Sequence, residues 1–364
     1  MSDFIMQMRP WFGEEESSAI TEYMATEPFL TEFKKTEEFE NLIGQYTGSK
    51  HCIVVNNGTI SMTLAALALG LSAGDEIIVP NYTMVATANA FKMVGLTPVF
   101  VDVSFDTLCL NLELARAAIT KNTKAIVLMT ANGRYPSEGI KAFEQLAAEE
   151  NIFLIEDAAQ SLGSCYPDGR HIGTASSIGS FSFSAPKVIS TGQGGALVTN
   201  DDDLAYKLRR LKDFGRSGGG NDVHDSIGFN FKFTDLQAVI GIEQMKKLSW
   251  RVNRKKEILK KYQELLSHVE EVKFFKQDLE ITTPWFIDIL AEDRDNLIQA
   301  LKQKRIGSRV MYPPLNEQKC YSINGAHPIS QLIGSKGLWL PSEAQLEDHQ
   351  IEGICSVIIG FYNT

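Results

Sequence analysis

A single lysine stands between two apolar runs in the stretch GSFSFSAPKVISTGQGGALVT, residues 179–199. Alternating apolar residues predict a strand leading to Lys187, and a glycine-rich turn and a second strand follow. A lysine amine held in a site of low polarity is driven toward its neutral form, which is a nucleophile toward aldehydes. The alternative is a lysine of an edge strand whose ammonium reaches solvent. The stretch alone leaves both interpretations open.

A carboxylate follows another apolar run, in IFLIEDAAQSLG, residues 152–163. An uncompensated charge at Asp157 would be costly to bury, so a cationic partner such as a protonated ring nitrogen or a metal ion would explain it. An N-cap for a helix beginning near Ala158 explains it equally well.

A candidate anion site lies in VVNNGTIS, residues 54–61. Asn57, Gly58 and Thr59 open a predicted helix whose free backbone N–H groups favour an anion such as phosphate. The alternative is an ordinary helix cap by Thr59 or Ser61. An anion site, a carboxylate able to pair with a pyridinium and a nucleophilic lysine are together the three groups that pyridoxal phosphate needs.

Strands and helices must bring these three stretches together. Between residues 51 and 200, strand-like runs such as HCIVV, DEIIVP, TPVFVDV and KAIVLMT alternate with segments of helical period. Strict alternation predicts an α/β fold with a mostly parallel sheet covered by helices on both faces. Ligands of such sheets bind beyond the carboxyl ends of the strands, where the three stretches place their polar residues. From about Val272 a smaller α/β pattern follows, so we predict a large domain over 1–250 and a small one over 251–364.

Composition excludes several classes of protein. A net charge of −10 over 364 residues argues against a nucleic-acid partner. The five cysteines are scattered and lack CxxC spacing, which indicates neither a disulfide framework nor a zinc site. The N-terminal residues lack a signal-peptide pattern, and no apolar run reaches the ~18 residues that span a bilayer. We therefore expect a cytoplasmic protein with no metal and no membrane partner.

Several blocks together resemble the DegT/DnrJ/EryC1/StrS family of nucleotide-sugar aminotransferases. The blocks are NNGTISMTLAALALGLSAGDEIIVPNYTMVATANA, IEDAAQSLGS, GSFSFSAPKVISTGQGGALVTND and IGFNFKFTDLQAVIGIEQ. The resemblance runs from near Met8 to the C-terminus and implies fold type I of the pyridoxal phosphate enzymes, the aspartate aminotransferase fold. NGR at 132–134, FNFKFTDLQAVIG at 229–241 and KGLWLPS at 336–342 resemble the GDP-perosamine synthase subgroup most.

The resemblance also implies roles for individual residues. Lys187 forms a Schiff base with pyridoxal 5'-phosphate, and Asp157 pairs with the pyridine nitrogen as the second catalytic residue. The implied cofactor-binding residues are Gly58, Thr59, Met84, Asp157, Gln160, Ser182, Lys187 and Asn230. Among them Gln160 reaches the ring hydroxyl, and Gly58, Thr59 and Ser182 bind the phosphate. Asn230 reaches the phosphate from the neighbouring subunit, which implies a homodimer with shared active sites.

Two positions depart from the family pattern. Met84 stands where the family usually has an aromatic residue stacked on the cofactor ring, and a thioether also packs favourably on aromatic rings. Tyr82 is an alternative for the same task. Gln193 stands where the family commonly has glutamate.

The implied reaction is a ping-pong transfer of an amino group from L-glutamate to C4 of a nucleotide-linked 4-keto-6-deoxyhexose, for surface glycans such as O-antigen. A UDP- or dTDP-linked acceptor and 3-amination stay open, and Arg309 is a candidate for the donor carboxylate. Lysine at 187 favours transamination over the dehydratase branch, which carries histidine there. The remote alternatives are a pyridoxal phosphate lyase, which would need a reactive cysteine such as Cys165, and a non-catalytic regulator.

Overall fold

A seven-stranded sheet forms the centre of the large part of the chain. A computed structural model describes residues 4–27, 29–218 and 222–363. The strands lie in the spatial order β1-β7-β6-β5-β4-β2-β3. Within this sheet β7 runs antiparallel to both of its neighbours, and the other adjacent pairs are parallel. The strands are β1 His51–Val55, β2 Glu76–Pro80, β3 Thr97–Val101, β4 Thr123–Met129, β5 Phe153–Asp157, β6 Ile178–Ser182 and β7 Gly195–Thr199.

A second, four-stranded antiparallel sheet follows in the order β10-β11-β9-β8. Its strands are β8 Val272–Phe274, β9 Ile287–Ala291, β10 Arg309–Val310 and β11 Gly337–Leu340. The helices are α1 Glu14–Thr26, α2 Lys34–Thr47, α3 Gly58–Ala68, α4 Val85–Lys92, α5 Leu112–Ala117, α6 Ile140–Glu149, α7 Asp202–Lys212, α8 Asp235–Lys246, α9 Leu248–Leu265, α10 Arg294–Gln303, α11 Pro328–Lys336 and α12 Asp348–Tyr362.

The strands of the large sheet are buried on both faces. Ile78 and Ile126 point into one apolar cluster, whereas Ile77 and Val127 point into another on the opposite face. This alternation is what period-2 side chains produce when helices cover both faces of a sheet. The predicted α/β fold with a mostly parallel, helix-flanked sheet is therefore confirmed.

The smaller sheet packs its apolar face against α9, α10 and α12. The N-terminal segment also reaches this region, because Ile5 forms a parallel bridge with Ile306. The division near residue 250 stays a prediction. Within the described residues, no helix is both long and apolar enough to cross a bilayer.

Candidate active site

The predicted residues converge at one edge of the large sheet. The carboxyl ends of the parallel strands open there onto a cavity of about 300 Å³. Gly58, Thr59, Met84, Asp157, Gln160, Ser182 and Lys187 all line it. More open surface depressions of about 490 and 520 Å³ lie elsewhere, but neither Asp157 nor Lys187 lines them. The chemistry of the lining residues, not the volume, selects the smaller cavity.

The turn between β1 and α3 leaves backbone donors free for an anion. Asn57 is the N-cap of α3, and its Oδ1 accepts a hydrogen bond from the Ile60 N–H at 2.9 Å. Because Asn57 caps the helix, the Thr59 hydroxyl is not needed for that task. Gly58 lies so close to Ser182 that a Cβ on Gly58 would come within 2.9 Å of the Ser182 Cβ. The first N–H groups of α3 and the Ser182 hydroxyl thus face the same small space.

Asp157 ends β5 as a buried carboxylate, 7% exposed. Its Oδ2 accepts a hydrogen bond from the Thr87 hydroxyl at 2.7 Å, and its Oδ1 accepts one from the Ala159 N–H at 3.2 Å. The residues that follow form turns and not a helix, so the N-cap interpretation is wrong. No salt bridge to Asp157 occurs within 4–27, 29–218 or 222–363. The buried carboxylate therefore has hydrogen-bond donors but no counter-ion in direct contact among the described residues, and it could accept a cation.

Lys187 lies in the turn that follows β6, and its side chain is partly buried. Because β6 lies between β5 and β7, the interpretation of Lys187 as an edge-strand residue is wrong. The Nζ atom sits 4.5 Å from the centroid of the Trp285 ring. Burial lowers the pKa of Lys187 from 10.5 to about 8, although the nearby Asp157 carboxylate opposes the change. The neutral amine is thus accessible near physiological pH.

A second buried lysine shows that a lowered pKa alone does not define the site. Burial and the neighbouring Arg251 lower the pKa of Lys255 to about 7. Its Nζ, however, donates hydrogen bonds to the carbonyl oxygens of Trp285 at 2.6 Å and Ser342 at 2.7 Å. Lys255 does not line the cavity. Of these two lysines, only Lys187 lines the cavity that Asp157 also lines.

Met84 lies at the mouth of the cavity and is 44% exposed. Its sulfur accepts a hydrogen bond from the Ala86 N–H at 3.0 Å at the start of α4. Tyr82 is buried against Tyr312 and does not line the cavity. Met84 is therefore the better placed of the two to cover a bound ring. Gln193 also lines the cavity.

Asn230 is the one predicted site residue that does not line this cavity. It is exposed and forms a bridge with Asp213 beyond the end of α7. Its predicted contact lies in a neighbouring subunit, which a single chain does not test, and that role stays a prediction. Cys165, the cysteine considered for a lyase, does not line the cavity either, and burial raises the pKa of its thiol.

Three residues from the second part of the chain complete the cavity wall: Trp285, Arg309 and Tyr312. The indole N–H of Trp285 donates to the Pro186 carbonyl at 2.7 Å, directly before Lys187. Arg309, the candidate for the donor carboxylate, lies in β10, partner of β11. Sequence reasoning did not single out Trp285 or Tyr312, because apolar aromatic residues in strand-like runs are typical of an ordinary core. Thr87, inside α4, was missed for the same lack of a local signal.

The known proteins that this chain resembles are consistent with the site described above. Residues 10–359 match the model of the DegT/DnrJ/EryC1/StrS aminotransferase family. The chain belongs to this family. A GDP-perosamine synthase of Escherichia coli O157:H7 is 34% identical over 364 residues, 99% of each chain. A GDP-perosamine synthase of Vibrio cholerae is 30% identical over 91% of each chain. A crystal structure of a family member from Brucella abortus superposes with a TM-score of 0.90 at 30% identity, covering 96% of each chain.

Membership of the family makes the protein a pyridoxal phosphate-dependent sugar aminotransferase. The cavity fits that cofactor, since the start of α3 and Ser182 both line it, and a helix N-terminus and a hydroxyl supply hydrogen-bond donors to a phosphate. The buried Asp157 carboxylate offers an acceptor to a protonated ring nitrogen. The chemistry of these groups matches the three parts of the cofactor: phosphate, ring nitrogen and aldehyde.

Proposed function

We propose that this enzyme transfers the amino group of L-glutamate to C4 of a GDP-linked 4-keto-6-deoxyhexose, the reaction of a GDP-perosamine synthase. The observation that carries the chemistry is the meeting of Lys187, Asp157 and the Gly58–Thr59 turn in one cavity. The choice of a GDP-linked acceptor rests on the similarity to the Escherichia coli and Vibrio cholerae enzymes.

Each of these residues has one task toward the cofactor. When bound, pyridoxal phosphate supplies an aldehyde that takes up the amino group and a ring that withdraws electrons from it. We assign Lys187 to hold the aldehyde carbon covalently and Asp157 to keep the ring nitrogen protonated. The N–H groups of Gly58 and Thr59, with the Ser182 hydroxyl, would hold the phosphate. Gln160 would donate to the ring oxygen, and Met84 would cover one face of the ring.

The freed Lys187 amine is also the group that moves protons. It would take the proton from the α-carbon of the amino donor and return it to the cofactor carbon that bears the nitrogen, and then act in reverse on the keto sugar. Its pKa of about 8 suits both directions near neutral pH. The Trp285 ring lies 4.5 Å from the Nζ, on the same side of the cavity wall as that amine.

Arg309 and Tyr312 line the same cavity as Lys187 and Asp157. A guanidinium presents paired donors that match a carboxylate, so we assign Arg309 to the carboxylate of L-glutamate. The donor leaves as 2-oxoglutarate before the sugar binds, which gives ping-pong kinetics.

We further propose a cytoplasmic homodimer in which Asn230 of each subunit completes the phosphate site of the other. All five cysteines are unpaired, which suits a reducing compartment. Large apolar side chains, such as Phe29, Phe33 and Ile227, are exposed on a single chain and would be covered by a second copy.

The experiment that tests the substrate is an assay with a panel of nucleotide-linked keto sugars. The purified enzyme, L-glutamate and pyridoxal phosphate are incubated with GDP-, UDP- and dTDP-linked 4-keto-6-deoxyhexoses and with 3-keto isomers, and the amino sugar is detected by mass. We expect turnover of the GDP-linked 4-keto sugar to exceed that of the others at least about tenfold, in line with specificity set by buried polar groups.

A preference for a UDP- or dTDP-linked sugar, or for C3, would overturn the assignment of the acceptor but not of the cofactor. Release of 2-oxoglutarate with no nucleotide sugar accepted would overturn the sugar assignment as a whole. The matched control is Lys187→Ala, which should yield no amino sugar with any acceptor.

A further inference from the structure

The amide of Gln160 is held in a single orientation. Its Oε1 accepts a hydrogen bond from the backbone N–H of Asn132 at 2.7 Å. A backbone N–H only donates, so the amide atom facing it must be the oxygen. The NH₂ end has no protein partner within residues 4–27, 29–218 and 222–363, and Gln160 lines the cavity. The NH₂ group of Gln160 is therefore free to donate a hydrogen bond to a ligand in the cavity.

Asn132 is itself clamped to the start of β9. It follows β4 with a left-handed backbone, φ +54°, and is buried. Its Nδ2 donates to the Phe286 carbonyl and to Asp288 Oδ1, both at 2.9 Å. Its Oδ1 accepts from the Phe286 N–H at 2.6 Å. Three side-chain hydrogen bonds thus fix the backbone N–H that faces Gln160.

A buried ion pair fixes this clamp in turn. Arg134 Nη2 donates to Asp288 Oδ2 at 2.5 Å, and both residues are 3% exposed. The Arg134 Nε donates to the Thr107 carbonyl at 2.9 Å, and its Nη1 donates to Gln277 Oε1 and to Asp288 Oδ1, each at 3.2 Å. A buried pair with its hydrogen bonds satisfied has few alternative arrangements. The small sheet thereby reaches the edge of the large sheet at Gln160.

We propose that Asn132, held by Asp288 and Arg134, is a positioning residue that keeps Gln160 as a hydrogen-bond donor to the ring oxygen of pyridoxal phosphate. The inference rests on the proposed function, since it takes that cofactor as the ligand. A fixed NH₂ favours the ring oxygen without its proton, whereas a freely rotating amide would accept from a hydroxyl equally well.

The test compares two ligands that differ only in the ring oxygen. Binding of pyridoxal phosphate and of its 3-deoxy analogue is measured by fluorescence titration of Lys187→Ala protein, in which no covalent bond forms. Asn132→Gly is then added, because glycine accepts φ +54° and keeps the backbone N–H while it removes the three side-chain hydrogen bonds. We expect about tenfold weaker binding of pyridoxal phosphate and no change for the analogue.

The control is Asn151→Gly, a left-handed asparagine, φ +53°, at an exposed turn far from the cavity, which should change neither affinity. Gln160→Leu, which removes the amide directly, should reproduce the selective loss even if Asn132→Gly folds poorly. Equal losses for both ligands, or no loss in Gln160→Leu, would overturn the inference. If the Lys187→Ala protein bound neither ligand, the proposed function itself would fail and the inference with it.

Discussion

The reactivity of Lys187 depends on what surrounds its amine. Burial of the amine lowers its pKa, whereas the negative charge of the nearby Asp157 carboxylate raises it. Burial is the larger effect, because the pKa falls from 10.5 to about 8 in spite of the carboxylate. A solvated lysine lacks this effect of burial, and its pKa stays at the ordinary value.

The pH dependence of cofactor attachment follows from that pKa. Because the neutral amine is the nucleophile, attachment to the apo-protein should accelerate about tenfold per pH unit well below pH 8 and level off above it. The measurement is the rate at which near-visible absorbance appears after pyridoxal phosphate is added. Lys187→Ala provides the background from other lysines. A rate that kept rising toward pH 10.5 would mean that Lys187 behaves as a solvated lysine.

Much of the site was predictable at the level of single residues, and some of it was not. Lys187, Asp157 and Gly58 each follow a strand-like run, so the sheet rule for parallel strands places them together. Trp285 and Tyr312 come from runs that read as core, and only the packing of the two parts of the chain brings them to Lys187. Neither the composition of a stretch nor its hydrophobic period indicates that a tryptophan in it will line a cavity.

The β1–α3 turn and the end of β6 pack closely against each other at the proposed phosphate site. Gly58 opens α3, and Ser182 ends β6, an interior strand that cannot move aside easily. A methyl group at Gly58 would meet the Ser182 Cβ at 2.9 Å, closer than real side chains approach. The two elements therefore require glycine at this position for a packing reason.

Replacing that glycine should weaken cofactor binding. We expect Gly58→Ala to reduce the affinity for pyridoxal phosphate about tenfold or more and to lower the free energy of unfolding by about 1–3 kcal/mol through overpacking. Both are measured, by titration and by denaturant unfolding. Gly353→Ala is the control, since nothing lies within 4 Å of its added Cβ on α12 and helix propensity favours alanine. Wild-type affinity in Gly58→Ala would show that this approach does not shape the phosphate site.

The sequence pattern predicts the strands and helices where strand-like and helix-like segments alternate along the chain. The strands from β1 to β5 coincide with apolar runs of the sequence, because buried parallel strands are apolar along most of their length, and β6 coincides with the alternating run before Lys187. The reversed direction of β7 and the helices α1 and α2 are not among the predicted features. The bridge of Ile5 to Ile306 joins residues about 300 positions apart, and no local pattern reports such a pairing.

In the whole molecule, the residues predicted to bind the phosphate do not all line the cavity of one chain. Asn230 lies outside the cavity of its own chain, and apolar side chains such as Ile227, 82% exposed, lie nearby in sequence. A two-fold arrangement uses the same surface on both copies and would bring each Asn230 to the other site.

Mixed dimers test that arrangement. Lys187→Ala and Asn230→Asp should each have low activity, the second because a carboxylate repels the phosphate. When the two inactive proteins are unfolded together and refolded in equal amounts, about a quarter of the sites should contain both native residues, and about a quarter of the wild-type activity should return. No recovery, with a dimer confirmed by light scattering, would contradict shared sites.

The covalent bond between Lys187 and the cofactor is central to the proposed mechanism. The most direct measurement is borohydride reduction of the wild-type protein loaded with pyridoxal phosphate, followed by peptide mass mapping, with an absorbance spectrum before and after L-glutamate is added. We predict that the label lies on the peptide containing Lys187, that glutamate bleaches the near-visible band before reduction, and that Lys187→Ala shows neither. A label on Lys255 or on another lysine, or the same spectrum in the wild type and in Lys187→Ala, would contradict it.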